Sequence, residues 1–513
     1  MNPLLTLPKS LRWMTSLFAA GLLCFAAGCG SGNGDGGGGG GGGNNGGFTQ
    51  ASLNGQYAFT LRGIATPDTI NSFFFVEGGV FTADGSGHIT SGTDDFVMNS
   101  QGFSDQITGV YSINTDGSGN IQFNFPGGGS SIYHIAFSDL NHFYMEQADL
   151  LGTSGGSGEK QDTSAFTSVP AGTFVYQAHD LVGPIAKVGV MSWSGGSITG
   201  SGDVLDAGVL VSPVTITGSV QAPGSSTGRG TVTITDDTGT NDYVYYVVSS
   251  RKIRLFNVDA LSSLSIGQME AQTGGPFSLA TLNGTFVFGS AGETFNVQGI
   301  HSVGLFTGNG AGSVTSGSFD MVQDGTPVTG VTLASSPAST YSVSGSTGRV
   351  DVVLNLSNTL VNEKIMYMVS PSRAYFLVND PVNVEDGTLD KQSGSFSNTT
   401  MKGQYALFMD GFDGNSPFPY RDRVGTWTPD GSGSVRTNYR ASGFTTAFPP
   451  GGSITDTNLT GTYAVGSDGV TLGNVNNLSG NLILYMVSGN SGYMLQADNG
   501  VDIGGAFTIQ SAP

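Results

Sequence analysis

The strongest constraint on how this chain can fold is that it repeats itself four times. One opening segment recurs as Leu53-Asn54-Gly55-Gln56-Tyr57-Ala58-Phe59, Pro170-Ala171-Gly172-Thr173-Phe174-Val175-Tyr176, Leu282-Asn283-Gly284-Thr285-Phe286-Val287-Phe288 and Met401-Lys402-Gly403-Gln404-Tyr405-Ala406-Leu407. The shared glycines stand 117, 112 and 119 residues apart. A period of that length is a whole domain and not one turn of a solenoid. Later landmarks keep the same order. A hairpin signal follows, as in Phe81 to Gly87 and Trp427 to Gly433, where Asp-Gly between strand-like runs reads as a tight turn. Next come a Gly-x-Tyr strand, a strongly apolar strand pair such as Tyr243 to Ser249 with Ile253 to Val258, and a closing Gly-x4-Gln. That closing motif falls at Gly156 to Gln161, Gly267 to Gln272, Gly387 to Gln392 and Gly505 to Gln510.

Each copy carries about seven or eight strand signals joined by short Gly-rich turns, with no sustained 3.6-residue periodicity after the N-terminal segment. The expected fold is therefore all-β, a tandem array of four antiparallel modules. Sequential hairpins favour small up-and-down barrels of about eight strands, of lipocalin or avidin type, and two-sheet sandwiches are the alternative. Expected boundaries are 48–167, 168–279, 280–397 and 398–513 for the modules. The second copy is the most diverged.

The N-terminus reads differently. Lys9 and Arg12 precede a largely apolar run from Trp13 to Ala27 and then small residues, the layout of a secretory signal over 1–28. Phe25-Ala26-Ala27-Gly28-Cys29 resembles a bacterial lipobox, although Ala26 stands where that pattern most often has Leu. The resemblance implies lipid attachment at Cys29, and Gly30 after it, in place of Asp, implies sorting to the outer membrane or cell surface. Residues 29–47 then supply the cysteine and a Gly-rich tether. Its eighteen residues from Gly30 to Gly47 reach about 21–25 Å as a flexible coil. Both cysteines, Cys24 and Cys29, lie in this region, so the modules have no disulfide and no thiolate metal site.

Composition narrows function mainly by exclusion. Net charge is −20 and no basic cluster occurs, which argues against nucleic acid as a partner. Gly-x-Ser-x-Gly occurs at Gly152 to Gly156 and at Gly224 to Gly228, but neither match reads as a strand-to-helix elbow, and both are read as loops. The histidines, His88, His134, His142, His179 and His301, show no metal-ligand spacing, although His134 and His142 sit on neighbouring strands and could face each other. The turns at Asp84, Asp116 and Asp430 each offer one carboxylate, too few for a calcium loop, and Asp94-Asp95 and Asp236-Asp237 add acids nearby. Tyr57, Phe59, Phe81, Tyr111, Phe143, Phe286, Phe306, Tyr367, Tyr405, Trp427 and Tyr485 alternate with small or polar residues at strand period, so they are expected in barrel cores. A hollow barrel lined by the same residues is the functional alternative.

From residue 48 onward the chain resembles Gly-rich, repeat-built bacterial surface lipoproteins with LNGxYxF-type openers and ADGxGxIxxG hairpins. That resemblance specifies module type and not activity, so no catalytic residue is carried over from it, and no cofactor is expected. The leading expectation is a non-catalytic envelope lipoprotein that presents its modules for adhesion, structural or binding roles, with the membrane as partner through its anchor. One alternative is a barrel-type binding protein for a small apolar ligand or glycan. Another is a surface hydrolase, which would need polar residues clustered in a single module.

Overall fold

The computed structural model describes residues 47–65, 73–98, 101–147, 152–181, 183–258, 264–294, 299–413, 420–443, 452–476 and 478–511. The signal segment, Cys29 and all of the tether except Gly47 lie outside these residues. Strands account for nearly everything described, and short 3-10 turns are the only helical elements among them. The reason is visible in the side-chain alternation. Ser118–Phe125 and Arg349–Asn355 bury every second residue, the signature of a strand with one face on a core.

Three modules are closed eight-stranded antiparallel barrels in which each strand pairs with its sequence neighbour. The opening strands Asn54–Ala65, Gly172–Asp180 and Tyr405–Asp413 close the rings against Gly152–Lys160, Ser265–Ala271 and Val501–Ile509. The third module follows the same plan as an incompletely closed barrel, its nine strands forming one open sheet. Its fourth strand is split into Thr326–Thr332 and Thr340–Val343, with Pro337 in the intervening stretch. Proline has no N–H to give a ladder, which favours a break at that point.

The repeat motifs now have physical causes. Gly55, Gly172, Gly284 and Gly403 adopt φ of +108°, +137°, +113° and +117°, where a side chain is strained. The closing glycines solve a different problem. A Cβ on Gly156, Gly267, Gly387 or Gly505 would stand 2.0, 2.5, 2.3 or 1.9 Å from a backbone oxygen of the opening strand. Only glycine lets the barrel close this tightly. Gly505→Ala is expected to cost about 1–3 kcal/mol as overpacking, read as a lower unfolding temperature, and an unchanged temperature would contradict this account of closure.

Side chains fill the barrels. Tyr57, Phe81, Phe123 and Phe143 pack in the first, Trp193 and Tyr245 in the second, Phe286, Phe306 and Phe376 in the third, and Tyr405 and Trp427 in the fourth. A phenylalanine from the preceding segment caps one end of each, packing on a turn glycine: Phe48 on Gly117, Phe166 on Gly228, Phe277 on Gly348 and Phe396 on Gly469. Two of the aromatics expected in cores are elsewhere. Tyr367 and Tyr485 are buried but face outward, where one module meets the next.

The barrels pack on one another around a closed ring. Val76, Val80 and Val97 of the first meet Val244, Tyr246 and Phe256 of the second. Val175, Val188 and Leu205 of the second meet Ile365, Tyr375 and Leu377 of the third, and Val287, Val303 and Val322 of the third meet Ile483 and Leu495 of the fourth. The fourth returns to the first through Ala406, Val424 and Phe408 against Ala136 and Tyr144. This last seam has the smallest apolar cluster.

Candidate functional site

The ring is held by one contact used four times. Each closing glutamine sends its side-chain amide into the next barrel, where the two N–H groups reach two backbone carbonyls. Gln161 donates to Thr227 and Val247 at 3.2 and 2.6 Å, Gln272 to Thr347 and Met368 at 2.9 and 2.8 Å, and Gln392 to Asp468 and Met486 at 2.8 Å each. Gln510 completes the circuit on Asp116 and Phe137 of the first barrel, at 3.0 and 2.7 Å. An amide with two donors suits a pair of carbonyls, which explains why glutamine recurs.

A second contact varies by seam. Asp95 takes Arg229 at 2.7 and 2.8 Å together with the Tyr246 hydroxyl. Asp203 takes Arg349 at 2.8 and 3.1 Å and the Tyr367 hydroxyl at 2.7 Å. At the third seam Asp320 accepts from the Tyr485 hydroxyl, and Val470 holds the place of the arginine. The fourth seam inverts the pattern, with Arg440 in the place of the aspartate, Ala136 in that of the tyrosine and Ser118 in that of the arginine.

All four barrels converge where the fifth residue after the opening aromatic points outward: Arg62, His179, Ala291 and Asp410. The Arg62 guanidinium donates to Asp410 at 2.7 and 3.2 Å. His179 donates through Nε2 to Glu293 at 2.9 Å, and its Nδ1 lies 2.7 Å from Asp386 in an ion pair without hydrogen-bond alignment. Burial alone would depress His179, but Glu293 and Asp386 prevail and raise it to about 10. His301 pairs with Asp502 at 2.8 Å, and burial lifts that carboxyl to about 6. Beside these groups opens a cavity of about 310 Å³, whose walls include Thr60, Gln177, Arg254 and Phe408. Charges there are already paired across barrels, so the junction holds the ring together and leaves polar hydrogen-bonding edges at its mouth.

At the seam between fourth and first barrels two acids are buried together. Ser442 gives its backbone N–H to Glu146 at 2.8 Å, and the Thr153 hydroxyl donates to Asp422 at 2.8 Å and lies 2.6 Å from Ser442 Oγ. Burial pushes Glu146 up to about 8 against the pull of Ser442 and Arg440, and pushes Asp422 well above its ordinary value. For Glu146 the folded value exceeds the unfolded one, so the folded state holds the extra proton and stability falls as pH rises from about 4.5 to about 8. Between pH 6.5 and 8 that loss is about 2 kcal/mol. Glu146→Gln should remove it, measured as a flatter dependence of unfolding free energy on pH; an unaltered slope would contradict it.

The motifs singled out from sequence take structural places. Gly152 to Gly156 is not a loop but part of the closing strand Gly152–Lys160. Strand pairing accounts for Gly156, and Gly155 lets the fourth barrel approach, since a Cβ there would stand 2.2 Å from Asp422 and 2.6 Å from the Phe408 ring. Ser154 is buried and donates to Gln147 at 3.2 Å. Gly224 to Gly228 is a turn closed by the Gly228 N–H on the Gly224 carbonyl. His134 and His142 do not face each other, because the hairpin register sets His134 opposite Glu146 and His142 opposite Asp139. His142 lies 2.8 Å from the Ser138 hydroxyl, and burial lowers it to about 4. Asp84 accepts from the backbone of Ser86 and His88, Asp430 from Ser432 and Ser434, and Asp116 from Ser118, so all three serve their hairpins. Asp236 pairs with Lys187 at 2.6 Å. Cys29, the expected lipid-attachment residue, lies outside the described residues.

No protein-family model matches the chain, and no curated protein matches it. A solved structure from Nitrosomonas europaea described as an AttH protein aligns with 10% identity and a TM-score of 0.17, covering 42% of this chain and 92% of that one. Likeness at that level carries no argument about fold or function.

Proposed function

We propose that the protein is an exported, non-catalytic binding and presentation protein of the cell envelope, lipid-anchored through Cys29, whose ligand sites lie between its barrels. The observation that carries this reading is the division of space. Barrel interiors are packed with aromatic and aliphatic side chains, whereas the cavities with polar walls occur at seams and at the four-barrel junction. A ligand held inside each barrel is correspondingly disfavoured, and a site assembled from two or more barrels is favoured. Ser154, His142, His179 and His301 are engaged in strand and seam contacts, which supports a binding role over hydrolysis. In this reading the tether sets a rigid four-barrel body above the outer leaflet and exposes its seams to the surroundings.

Two measurements test it. Mass spectrometry of the native protein and of Cys29→Ala should show acyl mass on the first and none on the second; an unmodified native N-terminus overturns the anchor. A glycan and lipid array probed with the complete four-barrel protein should show selective, saturable binding, and a blank array overturns the binding role.

A further inference from the structure

The fourth seam departs from the other three in a consistent direction. Where Asp95, Asp203 and Asp320 supply a buried carboxylate, this seam supplies Arg440, and where Arg229 and Arg349 fill the opposite wall it has only Ser118. Tyrosine is also lost, to Ala136. Arg440 and Ser118 line a cleft of about 370 Å³ at this seam, within the range of sites for small molecules. The polar groups facing it are Arg440, His134, Asn114, Asp116, Asn438, Asn458 and Ser118, and the Asp116 carboxylate already accepts from the Ser118 N–H and hydroxyl at 3.0 and 2.6 Å.

Arg440 is held in place but not neutralised. Its Nη1 lies 3.0 Å from both ring nitrogens of His134, and among the described residues no carboxylate is within ion-pair distance of it. Burial, then Arg440 itself, keeps His134 neutral, lowered to about 3, so the imidazole positions the guanidinium without competing for an anion. The asparagines are set out rigidly. Asn458 has φ of +57° and donates its backbone N–H to Asn438 Oδ1 at 2.6 Å, while the Asn114 amide donates to Ser118 Oγ at 2.9 Å. One fixed guanidinium beside several amides is the donor and acceptor set for a molecule with a carboxylate at one end and hydroxyls along its body.

We propose that the cleft between the fourth and first barrels binds a carboxylate-bearing sugar of the uronate class, with Arg440 holding the carboxylate and Asn114, Asn438 and Asn458 reading the hydroxyls. This rests on the seam-binding reading given above. The sugar carboxylate takes the part that an aspartate of the neighbouring barrel plays at the other seams. Although the net charge of −20 repels anions at long range, screening at physiological salt confines that repulsion to roughly 8 Å.

Titration calorimetry of the complete four-barrel protein with D-glucuronate, and separately with D-glucose, tests it. The expected result is one saturable glucuronate site per chain, and glucose weaker by at least about tenfold. Arg440→Gln should weaken glucuronate by at least about tenfold. Ser118→Arg, which restores the residue found at the first two seams, should do the same by filling the cleft, and circular dichroism should show both variants folded. Equal binding of glucose, or unchanged binding in either folded variant, overturns the uronate assignment. Absence of glucuronate binding by a protein that is positive on the glycan and lipid array overturns this site alone, whereas a blank array removes the binding role itself.

Discussion

Asp203→Ala should lower the unfolding free energy by about 3–5 kcal/mol, because it strands a charge that the second seam has taken out of water. The Asp203 side chain is fully buried, and it receives the Arg349 guanidinium through two nitrogens and the Tyr367 hydroxyl. Alanine removes three charge-assisted hydrogen bonds at once. Arg349 retains Asp351 at 2.6 Å and is partly exposed, which puts the expected value toward the lower end of that range. A useful comparison is Asp320→Ala. That carboxyl has no arginine, burial has already raised its pKa, and its loss should cost about 1–3 kcal/mol. Chemical denaturation of the two variants separates the cases, and equal losses would contradict the role assigned to Arg349.

Trp427→Ala should cost a similar amount, about 3–5 kcal/mol, through a different mechanism. Trp427 fills the middle of the fourth barrel, 1% exposed, packed among residues such as Tyr405, Met409 and Leu484. Alanine leaves a void that the β-ladders around it cannot collapse into, so the cavity cost adds to the lost burial. The same position holds Phe81, Met191 and Phe306 in the other barrels, as the pairing with Tyr57, Phe174 and Phe286 shows. Trp427→Phe should therefore lose less than half as much. Thermal unfolding followed by near-ultraviolet circular dichroism reads both, and a Phe variant as unstable as the Ala variant would show that the four interiors are not interchangeable.

The all-β class and the barrel topology were legible because the causes are local. Asp-Gly turns fix hairpins, alternation fixes inward faces, and the positive-φ glycines recur with the period. The closing Gly-x4-Gln was equally visible, but its meaning was not, since a side-chain amide reaching backbone carbonyls of another module leaves no complementary residue type to recognise. One signal of the ring was present in the apolar strands. Tyr243 to Val248 is buried at every residue, which a barrel with one wet face would not require. Tyr367 and Tyr485 belong to such strands, and reading them as interior residues overlooked that both faces of the strand were occupied. The inverted seam could not be read from sequence without register, because Arg440 and Asp203 correspond only once the second and third strands of each module are paired.

The closing seam is also the one with the smallest apolar cluster, and it holds two buried acids and a guanidinium that has no carboxylate partner among the described residues. Its strength decides whether the molecule is a ring or a string. Small-angle X-ray scattering on residues 47–513 tests this most directly. A closed ring should give a radius of gyration near that of one compact body of this length, roughly 23 Å, whereas a string of four separate barrels would exceed about 30 Å. A value in the first range supports the ring, and a value in the second would contradict it.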